Sequence, residues 1–308
     1  MDSPKFDADA AEAAPATDVE NRRLLFLRLA EEIRPALHRY CARMCGSVAD
    51  GEDIVQEVLV KAYARHAELE TGAALRPWIF RIAHNRAIDW TRAYGKRMGD
   101  RLEEGIEMAD RGTPDPGSGL AREETLRMSL SRFVELPASQ RGAVILKDVL
   151  DYSLEEIATI LESSVPAVKA ALHRGRGRLR EIGRHADPST PPREPSPTLL
   201  RYLALFNAQD WDGVRAMLAE EVKLDLVSRE KQSGRAKVAH YFRNYATAAD
   251  WHFLPAWLDG EEVIAVSGRD GDPAPRYFIR IGVADGKVSS IQDFRYVPYI
   301  LRDARLLS

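Results

Sequence analysis

No apolar run in this chain approaches the ~20 residues that a helix needs to cross a bilayer, so no membrane span is expected. Cysteine is scarce: Cys41 and Cys45 are the only two in 308 residues. That excludes a disulfide scaffold and fits a reducing, cytoplasmic setting. The two fall on one helix face with His38 nearby, which is an incomplete tetrahedral set. They read as small core positions, and no metal or other cofactor is expected. A dominant charge sign is also missing. Forty-four basic residues against 47 acidic ones leave a net charge of −3. Nucleic-acid binding therefore has to come from local basic patches. The opening MDSPKFDADAAEAAPATDVE has neither a basic start nor an apolar core. It is not read as a secretory signal, and residues 1–20 read as a disordered acidic tail.

Helical punctuation is plentiful, most clearly from Tyr152 to Glu181. Ser153 and Glu156 have the spacing of a capping box. Leu154, Ile157, Ala158 and Leu161 follow at helical spacing. Glu162-Ser163-Ser164 breaks that helix, Ser164 is placed to cap the next, and Pro166 sits in its first turn. Val165, Val168 and Leu172 make the second apolar stripe. Two short helices joined by a polar turn form a helix-turn-helix. The second helix carries Lys169, His173, Arg174, Arg176, Arg178 and Arg180, a face suited to a DNA groove and its phosphates.

A first helical block precedes it. Leu25, Leu29, Ile33, Leu37, Tyr40, Cys41 and Met44 mark a long helix that ends at Gly46. Asp50 is placed to cap the next, whose apolar face is Ile54, Val55, Val58, Leu59, Ala62 and Tyr63. Its other face shows Asp53, Gln56, Glu57 and Lys61. In LRPWIFRIAHNRAIDWTRAYGKR, Trp78, Ile79, Ile82, Ala83 and Ile88 form a core stripe. Arg81, His84, Asn85, Arg86, Asp89, Arg92, Lys96 and Arg97 crowd the other side. Basic residues interleaved with Trp90 and Tyr94 suit melted or single-stranded DNA.

DGEDIVQEVLVKAYARH with LRPWIFRIAHNRAIDWTR resembles region 2 of the extracytoplasmic-function (ECF) RNA polymerase sigma factors. LPASQRGAVILKDVLDYSLEEIATILESSVPAVKAALHRGRGRLRE resembles region 4 of the same family. The resemblance implies that Asp53, Gln56, Glu57 and Lys61 dock on core RNA polymerase. It implies that Asn85, Arg86, Asp89, Arg92 and Lys96 read and open the minus-ten promoter element. It implies that Ser164, Lys169, His173, Arg174 and Arg176 sit on the minus-thirty-five element. Such a protein is a specificity subunit for transcription initiation and not an enzyme.

Residues 98–121 are acidic, then Gly- and Pro-rich, and read as a flexible linker between region 2 (21–97) and region 4 (122–186). Helix resumes near Glu123, with Leu126, Leu130, Phe133 and Val134 on one stripe. Pro137 ends it, and Ser139–Val149 is the next helix. Five of the eleven residues 187–197 are proline, which marks a stiff spacer and a domain boundary. Beyond it, helices are expected at Leu199–Phe206, Trp211–Leu218 and Lys237–Tyr245. Strands are expected around Val222–Leu226, Val263–Val266, Tyr277–Val283 and Val288–Tyr296, with Asp285-Gly286 as a hairpin turn. Helices first and a curled antiparallel sheet after give an α+β cone over 198–308. This part is similar to the SnoaL-like group of the nuclear-transport-factor-2 superfamily.

The whole is then a multidomain chain: two all-α sigma bodies plus an α+β cone. The cone fold implies a pocket, with Tyr241, Trp251, His252, Trp257, Arg280 and Asp293 as candidate lining and a small ligand as one occupant. The favoured role for the cone is modulation of the sigma domains through intramolecular contacts, to which the C-terminal YVPYILRDARLLS is a candidate contributor. The alternatives are a one-component helix-turn-helix regulator with a small-molecule domain and, ranked below it, an enzyme of the cone fold that would use Asp293 or His252. The sequence names neither the promoter nor an anti-sigma partner.

Overall fold

The computed structural model describes residues 16–65, 72–98, 125, 129–184, 194–246, 251–268 and 274–307. The expected tail up to Pro15, the linker from Gly99 to Ala121 and the spacer residues 187–193 lie outside the described residues. Ala16–Glu20, expected in the tail, already belong to the first helix.

Three helices make the first block: α1 (Ala16–Cys45), α2 (Val48–Arg65) and α3 (Gly72–Met98). Gly46 closes α1 with φ +82°, a left-handed conformation that suits glycine. A Cβ there would also lie 2.5 Å from the Val134 side chain. Gly51 lets α2 approach α1 closely, since a Cβ at that position would sit 2.7 Å from Ala42 backbone. The cap of α2 is Ser47 rather than the expected Asp50: the Ser47 hydroxyl accepts from the Asp50 N–H at 3.2 Å. Asp50 lies inside the first turn, where its carboxylate is available for another partner.

The second block is α4 (Leu130–Val134), α5 (Ala138–Val144) running into a π-turn at Ile145–Val149, α6 (Leu154–Ile160) and α7 (Val165–Arg184). The capping box of α6 is formed as the spacing predicts, and Ser164 accepts from the Ala167 N–H at the start of α7. One apolar core runs through both blocks, from Ile33, Leu37 and Tyr40 of α1 to Val144, Ile157 and Leu172. Arg141 is buried across their joint. It donates to Met44 O near the end of α1, to Val134 O at the end of α4 and to Leu136 O just past it. Carbonyls at helix C-termini carry partial negative charge, so they stabilise this cation. Burial lowers its pKa to about 10, and it stays protonated at neutral pH.

The C-terminal body begins with α8 (Pro197–Asn207) and α9 (Trp211–Met217). The sheet strands are β1 (Leu218–Leu226), β2 (Glu230–Ser233), β3 (Trp251–Leu258), β4 (Glu261–Gly268), β5 (Tyr277–Ala284) and β6 (Lys287–Asp293), in the order β2-β1-β6-β5-β4-β3. All neighbours are antiparallel except β1 and β6, which are parallel, a departure from the expected antiparallel sheet. The expected helix at Lys237–Tyr245 is instead two short ones, α10 (Arg235–Val238) and α11 (Arg243–Ala246). Strands β2 and β3 were not read from the sequence.

The sheet is covered on both faces. Phe253, Ile264, Val266, Tyr277 and Ile279 point toward α8 and α9, meeting Leu199, Tyr202 and Phe206. Ala256, Leu258, Val263, Ala265 and Phe278 point the other way. They meet Val297 and Ile300 of the C-terminal segment, Ala42, Val48 and Ala49 of the first block, and Leu130. A strand buried on both faces carries an unbroken apolar run, which accounts for Val263-Ile-Ala-Val266 in β4.

Candidate functional site

The stripe on α2 that opposes its core face starts at its second turn. Asp53 and Gln56 are half-buried, while Glu57 and Lys61 are exposed. Val60 lies in the same stripe, seven residues after Asp53, and is 71% exposed. Sequence reading passed over it; the available signal was an apolar residue inside an otherwise polar helical stripe. Glu57 forms an ion pair with Arg86 of α3, and the Arg86 guanidinium lies 5.4 Å from the Trp90 ring. The two candidate faces therefore meet at this pair.

On α3, Asn85, Asp89 and Arg92 are exposed and Arg86 is half-buried. The Lys96 side chain lies outside the described residues. His84 was expected on the basic face but turns inward, because its ring pairs with the buried Tyr40 hydroxyl at 2.7 Å. Burial, with Arg141 nearby, lowers its pKa to about 4, so it is neutral at pH 7.

On α7, Lys169 and His173 are exposed and Arg174 is half-buried. Ser164 is used as the helix cap. Arg176 departs from the DNA-facing expectation. Its Nε and Nη2 reach the two oxygens of Asp148 at 3.0 and 2.6 Å, and that carboxylate is 3% exposed. The fork matches a carboxylate held inside the same body.

The C-terminal body reaches the head of the α2 stripe. Arg280 Nη1 lies 3.1 Å from Asp50, and its Nη2 lies 3.8 Å from Asp53. Its Nη1 is also 3.3 Å from Glu261, and its Nε donates to Gln292. Burial raises the Asp53 pKa to about 6, while Arg280 pulls it down. The Asp259 carboxylate accepts from the Val48 N–H at 2.7 Å, an anion at a helix N-terminus. Buried Glu52 is held by Arg34 and by the Tyr299 hydroxyl, and Asp303 pairs with Arg43 at 2.9 Å. The C-terminal segment thus packs on both the sheet and α1.

The six residues suggested for a cone pocket do not share one site. Tyr241 and Asp293 meet inside, where the 1%-exposed Asp293 carboxylate accepts from the Tyr241 and Tyr245 hydroxyls, each at 2.8 Å. Trp251 joins them at a remove, through Arg295 stacked 5.4 Å from its ring. His252 is exposed, and Arg280 lies on the other face, against α2. Beside Arg280, between the start of α8 and the strands, a groove of about 790 Å³ is lined by Trp257, Glu261, Glu262, Arg280, Val283 and Gln292, among others. Among the described residues, Cys41 and Cys45 belong to no group able to hold a metal. Burial raises both thiols. No described helix is long and apolar enough to cross a membrane.

Family models match three stretches: Sigma-70 region 2 over residues 29–97, Sigma-70 region 4 over 130–179, and a SnoaL-like domain over 199–291. The ECF RNA polymerase sigma factor SigW of Bacillus subtilis is 30% identical over 165 residues, spanning 51% of this chain and 87% of that protein. The chain belongs to the ECF sigma factors. SigG of Mycobacterium tuberculosis, also an ECF sigma factor, is 28% identical over 300 residues, which cover 88% of this chain and 78% of that protein. The crystal structure of M. tuberculosis SigJ aligns over 89% of this chain and 95% of that one, at 23% identity and a TM-score of 0.34.

In this sigma factor regions 2 and 4 are packed against each other. Phe80 of α3 meets Tyr152 edge-on at 5.2 Å, and Arg81 pairs with Glu162 in the turn between α6 and α7 at 3.2 Å. The Arg141 joint closes the other side. Parts of α2, α3 and α7 stay exposed beside this packing.

Proposed function

We propose that this sigma factor docks on core RNA polymerase through Asp53, Gln56, Glu57 and Lys61. It then directs initiation at promoters whose minus-ten element meets Asn85, Arg86, Asp89, Arg92 and Lys96. Their minus-thirty-five element meets Lys169, His173 and Arg174 on the helix that Ser164 caps. The physical basis is charge: a mixed, acidic helix stripe suits a protein surface, and basic helix faces suit phosphates. The SnoaL-like body modulates this activity from its seat on α1 and α2. The observation that carries the modulating role is Arg280, which engages Asp50 and Asp53 at the head of the docking stripe. An anti-sigma partner is compatible with the same exposed faces.

The test is run-off transcription with purified core polymerase on a promoter library. Full-length protein should give promoter-specific transcripts, and Glu57→Lys should lose them together with core association. A chain ending at Pro188 should give fewer specific transcripts, because it lacks the seated body. Equal yields from both chains would remove the modulating role and leave the sigma role. Absence of transcripts from the full-length chain, despite duplex binding, would favour a one-component regulator.

A further inference from the structure

We propose that the groove between the start of α8 and the strands of the SnoaL-like sheet is a second contact for core polymerase. It would take a basic segment with an apolar tip from the core enzyme. The proposal rests on the docking reading of α2 given above, and the experiment below separates the two.

The groove and the α2 stripe are parts of one surface. Arg280 and Gln292 line the groove, and both also touch the head of the stripe: Arg280 at Asp50 and Asp53, Gln292 at Asp53. From Asp53 the stripe runs to Lys61, about 12 Å along the helix axis. A protein seated on Glu57, about one helical turn from Asp53, therefore has the groove next along the surface.

The lining states what enters. Trp257, Ile281 and Val283 give an apolar wall, and Val283 is 46% exposed. Glu194, Glu261 and Glu262 stand around it. Against these, Arg280 is the basic side chain in the lining, and its guanidinium is already engaged with Asp50, Asp53 and Glu261. The acid rim repels DNA and RNA phosphates. It has the same sign as Glu57 in the stripe, so a single basic partner that takes over Glu57 from Arg86 complements both. A second copy of this chain is disfavoured as an edge-to-edge partner at β3, next to the groove, because that edge is blocked. The Asn207 side chain bonds both backbone groups of Phe253, Pro255 has no N–H, and Leu307 bonds both groups of Trp257.

Two measurements on the full chain test this. In the first, a photo-crosslinking residue replaces Val283 and the protein is irradiated with core polymerase and promoter DNA. An adduct to a core subunit is expected. An adduct to DNA, to another copy of the chain, or none, overturns the proposal. In the second, the pair Val283→Arg and Glu194→Lys is compared with Glu57→Lys for core affinity, with thermal melting as the check on folding. Both substituted residues are exposed, so melting should not change. Core affinity should fall on the order of tenfold for the pair, in the range of contacts made by a few charged groups. If the pair binds core normally while Glu57→Lys does not, the groove contact is wrong and the docking reading stands. If neither affects binding, both are wrong.

Discussion

Asp53 and His84 titrate in opposite senses across the same pH range. Burial raises Asp53 to about 6 from its ordinary value near 3.8. Between those values the folded state holds more protons than the unfolded one, so stability falls as pH rises. His84 is lowered to about 4 from 6.5, again by burial. There the unfolded state holds more protons, so stability rises as pH rises from 4 to 6.5. Each shift corresponds to roughly 3 kcal/mol, so the two slopes largely cancel. Asp53→Asn should remove only the first: melting temperature should then climb more steeply between pH 4 and 6.5 than in the native chain, and stability at pH 7 should rise by up to about 3 kcal/mol. Parallel curves for the two proteins would contradict the assignment. The arginines of α7 divide in a comparable way. Arg176→Ala leaves Asp148 buried without its fork and should destabilise the chain by about 3–5 kcal/mol. Lys169→Ala and His173→Ala, both at exposed positions, should leave melting unchanged and weaken minus-thirty-five promoter binding. Melting and promoter affinity measured on the three variants separate the structural arginine from the proposed contact residues.

At the scale of elements, what was readable is what local chemistry decides. The capping box of α6, the Ser164 cap and the apolar stripes of α7 depend on residues within a turn or two of each other, and all are present. Ser153→Ala should therefore cost about 1 kcal/mol, visible as a lower melting temperature. Asp285-Gly286 makes its hairpin, with φ +51° and +70°. Asp259-Gly260 carries the same signal and the same positive φ angles, yet β3 went unread. Its residues are Trp251 to Leu258, with Pro255 inside, and proline argues against a central strand. The structure resolves the conflict by placing β3 at the sheet edge, where a missing N–H is harmless. Other features depend on distant partners and were not legible. The role of Arg176 is set by Asp148, 28 residues away. The role of Asp50 is set by Arg280, 230 residues away. Helix pattern alone placed His84 outward, and only the Tyr40 hydroxyl 44 residues earlier turns it in.

Across the whole molecule, the SnoaL-like body is joined to region 2 by an interface that resembles a core more than a reversible contact. Its apolar part includes Ala42, Val48, Ala49, Phe278, Phe294 and Ile300, all buried. Its polar part includes carboxylates removed from water: Glu52 is 0% exposed, and the Asp303 side chain 4%. Each is held by a partner from the other side of the seam, Glu52 by Tyr299 and Asp303 by Arg43. Breaking a buried pair by removing one partner costs about 3–5 kcal/mol, since the remaining charge stays unpaired. For the modulating role proposed above, complete release of this body is thus energetically expensive, and a route through the shared surface around Arg280 is cheaper. Two outcomes follow for thermal unfolding. The intact chain should melt with region 2 and the SnoaL-like body in one cooperative transition. Asp303→Asn, which keeps the shape but removes the charge facing Arg43, should lower that single transition without splitting it. If it splits instead, with the SnoaL-like body melting apart from region 2, the seam is a reversible latch, and the proposed modulation would run through release rather than surface sharing.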